Sequence, residues 1–284
     1  MILLDGRKVA DDLKAKLALD VVEFEKAYHR KPCLKVIIVG NDPASMVYVK
    51  SKHMACQKVG MGSEIINLDS NVTQANLENE IQKLNNDNNV DGILVQLPVP
   101  KHIDLTAVLK TIDPKKDADG LTFLSAGYLW SDFEHVQPCT PSGVIKILDF
   151  YNIPLKGKRA VVIGRSQIVG KPMAALLLKK NATVTIAHSG TENLRHVVQD
   201  AEVVVVAAGK MSFFGSEYFN KNHVVVDVGI HKDLNGKLGG DVKFDEVSAV
   251  VKAITPVPGG VGPMTIACLL ENTIKLARMR MAKA

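Results

Sequence analysis

Aromatic residues are scarce, 5% of 284 residues with a single Trp. A chain that stacks nucleic-acid bases interleaves aromatics with its cations, and here the Lys and Arg residues are scattered without them. The formal net charge of +5 is mild; it suits an anionic small molecule and gives no reason to expect a nucleic-acid partner. Cys33, Cys56, Cys139 and Cys268 form no CxxC pair, which argues against zinc and for reduced thiols in a cytoplasmic protein. No apolar run approaches the ~20 residues a bilayer crossing needs. The opening MILLDGRKVADDLK has neither the basic segment nor the long apolar stretch of a signal peptide. No membrane association is expected.

What is present is alternation. LKVIIVG (34–40) is a β-branched apolar run closed by Gly, as a buried strand is. Asp42 and Pro43 then open a helix. SEIINL (63–68) reads as a strand, and TQANLENEIQKLNND (73–87) places Leu77, Ile81 and Leu84 on one helical stripe behind a Thr73 N-cap. VDGILVQLPVP (90–100) is a strand stopped by Pro98 and Pro100. A second series follows: a helix opened by Thr140 and Pro141, strand 159–164, helix 169–181, and strands 182–187, 201–209 and 223–229. Strands alternating with helices predict parallel βα units. The fold class is therefore α/β with two α/β domains. The first spans 1–140, with the last helix of 264–284 packing back on it. The second spans 141–263 and is expected to be Rossmann-like.

Three loops carry candidate chemistry. VVIGRSQIVGKPM runs from a strand through Gly164 to Gly170 at a helix start, where free N–H groups favour phosphate. Ser166 stands where GxGxxG would have its second glycine. The spacing is one residue too long for a P-loop, and Pro172 stands where that motif needs Ser or Thr. The next strand ends TIAHSGT, with no acid at His188, Ser189 or Gly190 to hold a ribose hydroxyl. Arg165 and Ser189, with His188 as a lesser candidate that reads first as a neutral strand-end histidine, could instead meet a 2′-phosphate, which leans towards NADP. DPKKDADGLT (113–122) fails the EF-hand spacing, with Lys115 and Ala126 at ligand positions. It is either a solvated acidic turn or a device by which Asp119 accepts two N–H bonds from a planar ligand edge. TPVPGGVGPMT (255–265) has three Pro and three Gly in eleven residues, a composition that lets backbone approach a ligand closely. In YVKSK (48–52), Tyr48 and Lys52 are one helical turn apart and share a face. Taken alone, that pair also fits an ordinary surface helix.

Read together, YVKSK, VDGILVQLPVP, PKKDADG, PCTPSG, VVIGRSQIVGKP, VVDVGI and ITPVPGGVGPMT, in this order, resemble the bifunctional methylenetetrahydrofolate dehydrogenase/cyclohydrolase family over nearly the whole chain. The resemblance implies NADP-dependent oxidation of 5,10-methylenetetrahydrofolate to 5,10-methenyltetrahydrofolate. It also implies hydrolysis of that product to 10-formyltetrahydrofolate in the same cleft between the domains. Lys52 would be the principal catalytic group, with Gln96 hydrogen-bonded to it, Tyr48 shaping the folate site and Asp119 gripping the pterin. Leu97, Pro258, Gly259 and Gly260 would border the folate. Gly164, Arg165, Ser166, Ser189 and Ile230 would line the dinucleotide. A cytoplasmic homodimer acting on tetrahydrofolate one-carbon derivatives, and serving purine biosynthesis, is implied as well.

The implied chemistry is physically coherent. Hydride transfer is chiefly a positioning task. Hydrolysis needs a proton acceptor, and a lysine serves only if its pKa falls well below about 10.4. Burial and a cationic ligand push it that way, while neutral Gln96 orients the amine without restoring its charge. Two other classes compete: another NADP-dependent dehydrogenase, for instance of an amino acid or shikimate-like substrate, and a silent folate- or nucleotide-binding module. A dehydrogenase lacking the hydrolase is a third possibility within the family.

Overall fold

The computed structural model describes residues 1–131, 133–233 and 235–282. Asp132 and Leu234, inside the two expected domains, and residues 283 and 284, at the end of the segment expected to pack back, lie outside the described residues. The order begins with β1 (Ile2–Leu3), α1 (Gly6–Tyr28), β2 (Cys33–Val39) and α2 (Pro43–Lys58). Next come β3 (Gly62–Leu68), α3 (Gln74–Asn86), β4 (Gly92–Val95), α4 (Leu105–Thr111) and α5 (Phe123–Trp130). Then follow α6 (Cys139–Phe150), β5 (Arg159–Ile163), α7 (Gly170–Lys179), β6 (Thr183–Ala187), α8 (Leu194–Gln199), β7 (Val203–Val206) and β8 (Val224–Asp227). The short pair β9 (His231–Lys232) and β10 (Leu238–Gly239), α9 (Phe244–Ser248), β11 (Ala253–Ile254) and α10 (Val261–Met281) end the series. The chain divides into two compact units: a first of Asp12–Gln137 with Ile266–Ala284, and a second of Met1–Asp11 with Pro138–Thr265.

In the first unit a parallel sheet runs β3-β2-β4. β2 and β4 are largely buried and mostly apolar, as strands covered on both faces are, whereas the edge strand β3 has no buried residue. Ile37, Val39 and Ile93 pack with Leu77, Ile81 and Leu84 of α3, the stripe read from the sequence. Thr73 caps α3 by accepting the Asn76 N–H, and Asp42 caps α2 by accepting that of Ser45. The later turns of α10 belong to this unit through polar ties. Arg280 and Arg30 share the fully buried Asp91, Arg30 in two bonds of 2.7 Å and Arg280 in one of 2.8 Å. Through the Arg280 bond to this buried carboxylate, the end of the helix is tied to the start of β4.

In the second unit a parallel sheet runs β1-β11-β8-β7-β5-β6. Val161, Ile163, Val204, Val206 and Val225 form its core with Phe214 and Val247. From β5 the chain passes outward to β6, then back across to β7, so strand order reverses between β5 and β7. Ligands of doubly wound sheets bind at such a reversal, beyond the carboxyl ends of the strands. The structure differs from the sequence reading at two places here. Ile2 and Leu3 pair with Ala253 and Ile254, so residues 1–11 join this unit and not the domain expected at 1–140. Thr140 does not cap α6, which starts at Cys139 without a side-chain cap. Its hydroxyl instead bonds that of Thr265 at 3.0 Å.

Candidate active site

In the first unit, α2 carries Tyr48 and Lys52 one turn apart. Lys52 is buried and Tyr48 half-buried. Burial raises the Tyr48 phenol above its ordinary pKa. Gln96 follows β4 and extends its pairing, donating its backbone N–H to Ile37 O at 2.8 Å. Its side chain is oriented from both ends: the amide nitrogen donates to Leu97 O at 2.7 Å, and the carbonyl oxygen accepts from Lys52 Nζ at 2.9 Å. Since an ammonium or amine nitrogen donates here, the oxygen of Gln96 must face it. The structure thus joins Lys52 to Gln96, with Leu97 holding the amide.

Asp119 lies in a loop built by two neighbours the sequence reading passed over. Lys116 is nearly fully buried and donates to Leu84 O, Asn85 O and Asp87 O at 2.6–2.8 Å, closing the carboxyl end of α3. Burial brings its pKa down to about 8. Asp117 accepts N–H bonds from Gly120, Leu121 and Thr122 and the Ser125 hydroxyl. Ala118 O is held by Asn272 at 2.9 Å. At about 0.5–1.5 kcal/mol per bond, four bonds to Asp117 fix the turn that displays Asp119. The only sequence signal for this was the crowding of Lys and Asp beside a Gly.

In the second unit, Gly164 ends β5 at φ +133°, a region closed to most side chains. A Cβ there would be driven into the Ala207 carbonyl, 2.9 Å from its carbon and closer to its oxygen. The strand end is bare because β7 passes there. Ser166 Oγ accepts the N–H groups of Val169 and Gly170, both at 3.2 Å, which leaves its hydroxyl proton as the donor it can offer. The Arg165 side chain is exposed. His188 closes the turn after β6: its Nδ1 accepts the Gly190 N–H at 3.0 Å, and its backbone N–H reaches Thr191 Oγ1 at 2.9 Å. Ser189 and Ile230 are exposed. The loop of Pro258, Gly259 and Gly260 is braced by the N-terminal segment. Arg7 N–H donates to Gly259 O at 2.9 Å, and Gly6 packs so tightly on Gly260 that a Cβ would strike its carbonyl.

Sequence reasoning missed a buried acidic pair behind these loops, Asp227 and Asp241. Asp227 accepts N–H bonds from Gly229, Asp241 and Val242. Burial nonetheless pushes its pKa up to about 7. Among the described residues no group of three or more His, Cys, Asp and Glu could hold a metal ion. Hollows of about 630 Å³ beside α3 and 390 Å³ beside the starts of β5 and β7 contain none of the candidate residues.

The chain resembles known proteins along its whole length. Residues 4–119 match the family model for the tetrahydrofolate dehydrogenase/cyclohydrolase catalytic domain, and residues 138–281 that for the NAD(P)-binding domain of the same enzymes. The bifunctional protein FolD of Bdellovibrio bacteriovorus is 54% identical over 99% of this chain and 98% of its own. The crystal structure of the bifunctional FolD methylenetetrahydrofolate dehydrogenase/cyclohydrolase of Campylobacter jejuni is 47% identical, with a TM-score of 0.95 over 99% of each chain. The Trypanosoma brucei enzyme, solved with NADP and an inhibitor, is 38% identical with a TM-score of 0.95, covering 100% of this chain and 99% of that one.

Proposed function

The chain belongs to the tetrahydrofolate dehydrogenase/cyclohydrolase family, and from that premise we propose that it performs both of the reactions named there. It oxidises 5,10-methylenetetrahydrofolate to 5,10-methenyltetrahydrofolate with NADP, then hydrolyses the product to 10-formyltetrahydrofolate. The observation that carries this reading is the Lys52–Gln96 bond of 2.9 Å on an otherwise buried lysine. Gln96 is neutral, so this bond orients the amine without itself adding a charge that would hold its proton.

NADP, when bound, supplies the hydride acceptor. The second unit offers residues that fit it: a strand end bare of Cβ at Gly164, the exposed Arg165 and Ser189, and no acid closing β6. In this reading Arg165 and Ser189 hold the 2′-phosphate, and Ser166 donates to phosphate oxygen. In the first unit, Tyr48 packs along the folate and Asp119 accepts from the pterin edge. In the hydrolytic step the oxygen of water bonds to the methenyl carbon and one water proton passes to Lys52 Nζ; the bond from that carbon to N5 then breaks as N5 takes up a proton and the remaining hydroxyl proton is lost, which leaves the formyl carbonyl on N10. The cationic substrate itself lowers the proton affinity of the amine before attack. A steady-state assay with methylenetetrahydrofolate and each nicotinamide cofactor tests the whole. Formation of the methenyl product without its hydrolysis would reduce the reading to a dehydrogenase. The cytoplasmic homodimer and the supply of formyl groups to purine biosynthesis belong to the same reading, and sedimentation of the purified chain checks the dimer.

Two substitutions separate the ligands. Asp119→Ala should weaken folate binding by about one to two orders of magnitude, the worth of a charge-assisted hydrogen bond of roughly 1.5–3 kcal/mol. NADP affinity should hardly change. Calorimetry on the purified variant measures both, and unchanged folate affinity would return Asp119 to a solvated turn. Arg165→Ala should raise the Michaelis constant for NADP strongly and leave that for NAD nearly as it was, because NAD has no phosphate there to lose. Ser189→Ala in the same background removes the remaining donor. Equal losses for both cofactors would place Arg165 on the shared pyrophosphate and end the argument for NADP.

A further inference from the structure

The loops that follow β7 and β8 are fastened to one side chain. Asp241 is fully buried. Its Oδ2 accepts the backbone N–H groups of Ala208 at 2.7 Å and Gly209 at 3.0 Å, and its Oδ1 accepts that of Lys210 at 2.8 Å. Three successive N–H groups converging on one anion form a nest, the kind of concavity that elsewhere grips phosphate. It lies at the carboxyl end of a central parallel strand, where doubly wound sheets receive ligands. Here the protein's own carboxylate fills it, so the loop is shaped before any ligand arrives.

The same carboxylate reaches the second loop. His231 Nε2 lies 2.7 Å from Asp241 Oδ1, and His231 directly follows Ile230. Asp241 is seated in turn: its N–H donates to Asp227 Oδ1 at 3.0 Å, and its carbonyl accepts from Phe213 at 2.8 Å and Phe214 at 3.1 Å. Asp227 also takes the N–H of Gly229. Residues 208–210, 229–231 and 241–242 therefore form one hydrogen-bonded body. Ala207, whose carbonyl confines Gly164, stands at its edge.

We propose that Asp241 is a positioning residue for the dinucleotide: through the nest at 208–210 and through His231 it presets the two loops against which NADP is held. This rests on the reading of the second unit as an NADP site. A merely structural Asp241 would affect stability without affecting cofactor affinity, and the two roles separate in measurement. Asp241→Asn turns two acceptors into one and points an amide NH2 at N–H donors or at His231. It should raise the dissociation and Michaelis constants for NADP about tenfold or more. At saturating NADP kcat should stay within about threefold, and methenyltetrahydrofolate hydrolysis, which uses no cofactor, should match the wild type. His231→Leu should raise the NADP constant by a smaller factor, and His231→Gln, whose amide nitrogen can replace Nε2, should restore it. Should Asp241→Asn fail to fold, the His231 pair decides: equal NADP affinity in Leu and Gln variants overturns the proposal. So does an Asp241→Asn protein that folds and binds NADP like the wild type. If the wild type itself binds no NADP in the same titration, the cofactor reading fails and takes the proposal with it.

Discussion

Lys52→Met is expected to abolish hydrolysis of the methenyl intermediate while the protein remains folded. Met has nearly the length of Lys and packs readily against apolar neighbours, so the buried stem of Lys52 is replaced without a cavity. The structural cost is the loss of the donor that Gln96 Oε1 now accepts at 2.9 Å. A buried acceptor left without its partner costs about 1–3 kcal/mol, less than the 5–15 kcal/mol that typically holds a domain together. The catalytic cost is larger, because a positioned proton acceptor contributes roughly 10²–10⁴ in rate. Decay of methenyl absorbance should therefore slow by at least about a hundredfold, with the circular dichroism of the native protein retained. A folded variant that hydrolyses near the wild-type rate would remove Lys52 from the mechanism. The dehydrogenase step should suffer as well if the same amine faces the bound substrate, as the proposed mechanism requires.

The sequence disclosed the fold best where burial leaves a simple signature. VIIV and VVVV are parallel strands covered on both faces, and such strands read as unbroken apolar runs. The Leu77, Ile81 and Leu84 stripe and its Thr73 cap are local, and each stood as read. The two-residue strands β1 and β11 gave no such signal. Their pairing joins opposite ends of the chain, and nothing in ILL or AI points across that distance. Helix α10 begins at Val261, inside the Gly- and Pro-rich stretch, earlier than the expected 264. Glycine there keeps helical dihedrals, and Pro263 is tolerated in a first turn, where no N–H partner is lost.

The candidate site divides in the same way. Tyr48 and Lys52 were legible as a pair because helical spacing alone puts them on one face. The pairing of Lys52 with Gln96 depends on β4 lying beside β2, and only the family resemblance suggested it. Lys116, Asp117, Asp227 and Asp241 were not legible at all. A buried acid that accepts backbone N–H bonds looks in sequence like any loop acid, since most of its partners are main-chain groups with no residue type to betray them. These residues touch no ligand in the proposed mechanism. They fix the loops that would.

Gly164→Ala should weaken NADP binding by about two orders of magnitude or more and spare the hydrolase. Two effects act together. The residue sits at φ +133°, and forcing a non-glycine residue into so sparse a region costs on the order of 1–3 kcal/mol. The added Cβ would also meet the Ala207 carbonyl, 2.9 Å from its carbon. That neighbour is the backbone at the end of β7, which cannot rotate aside as a side-chain tip could. Either the loop after β5 lifts or the end of β7 retreats. Gly170, at the start of α7, packs directly on the backbone of Gly164 and Arg165, so lifting the loop carries the helix N-terminus with it. Arg165 and Ser166 move as well. Binding groups must hold their geometry to within about 0.5 Å, and a shift of that size or more at a phosphate site should weaken affinity by two orders of magnitude or more, about 3 kcal/mol. Gly157→Ala supplies the control. Its φ is +74°, yet nothing lies within 4 Å of the Cβ it would gain. It should lower the melting temperature while leaving NADP affinity intact. Calorimetric titration of both variants with NADP, beside their rates of methenyltetrahydrofolate hydrolysis, separates displacement of the site from general strain. If Gly164→Ala binds NADP as the wild type does, or if Gly157→Ala loses it equally, the close approach of β5 and β7 is not what shapes the phosphate loop.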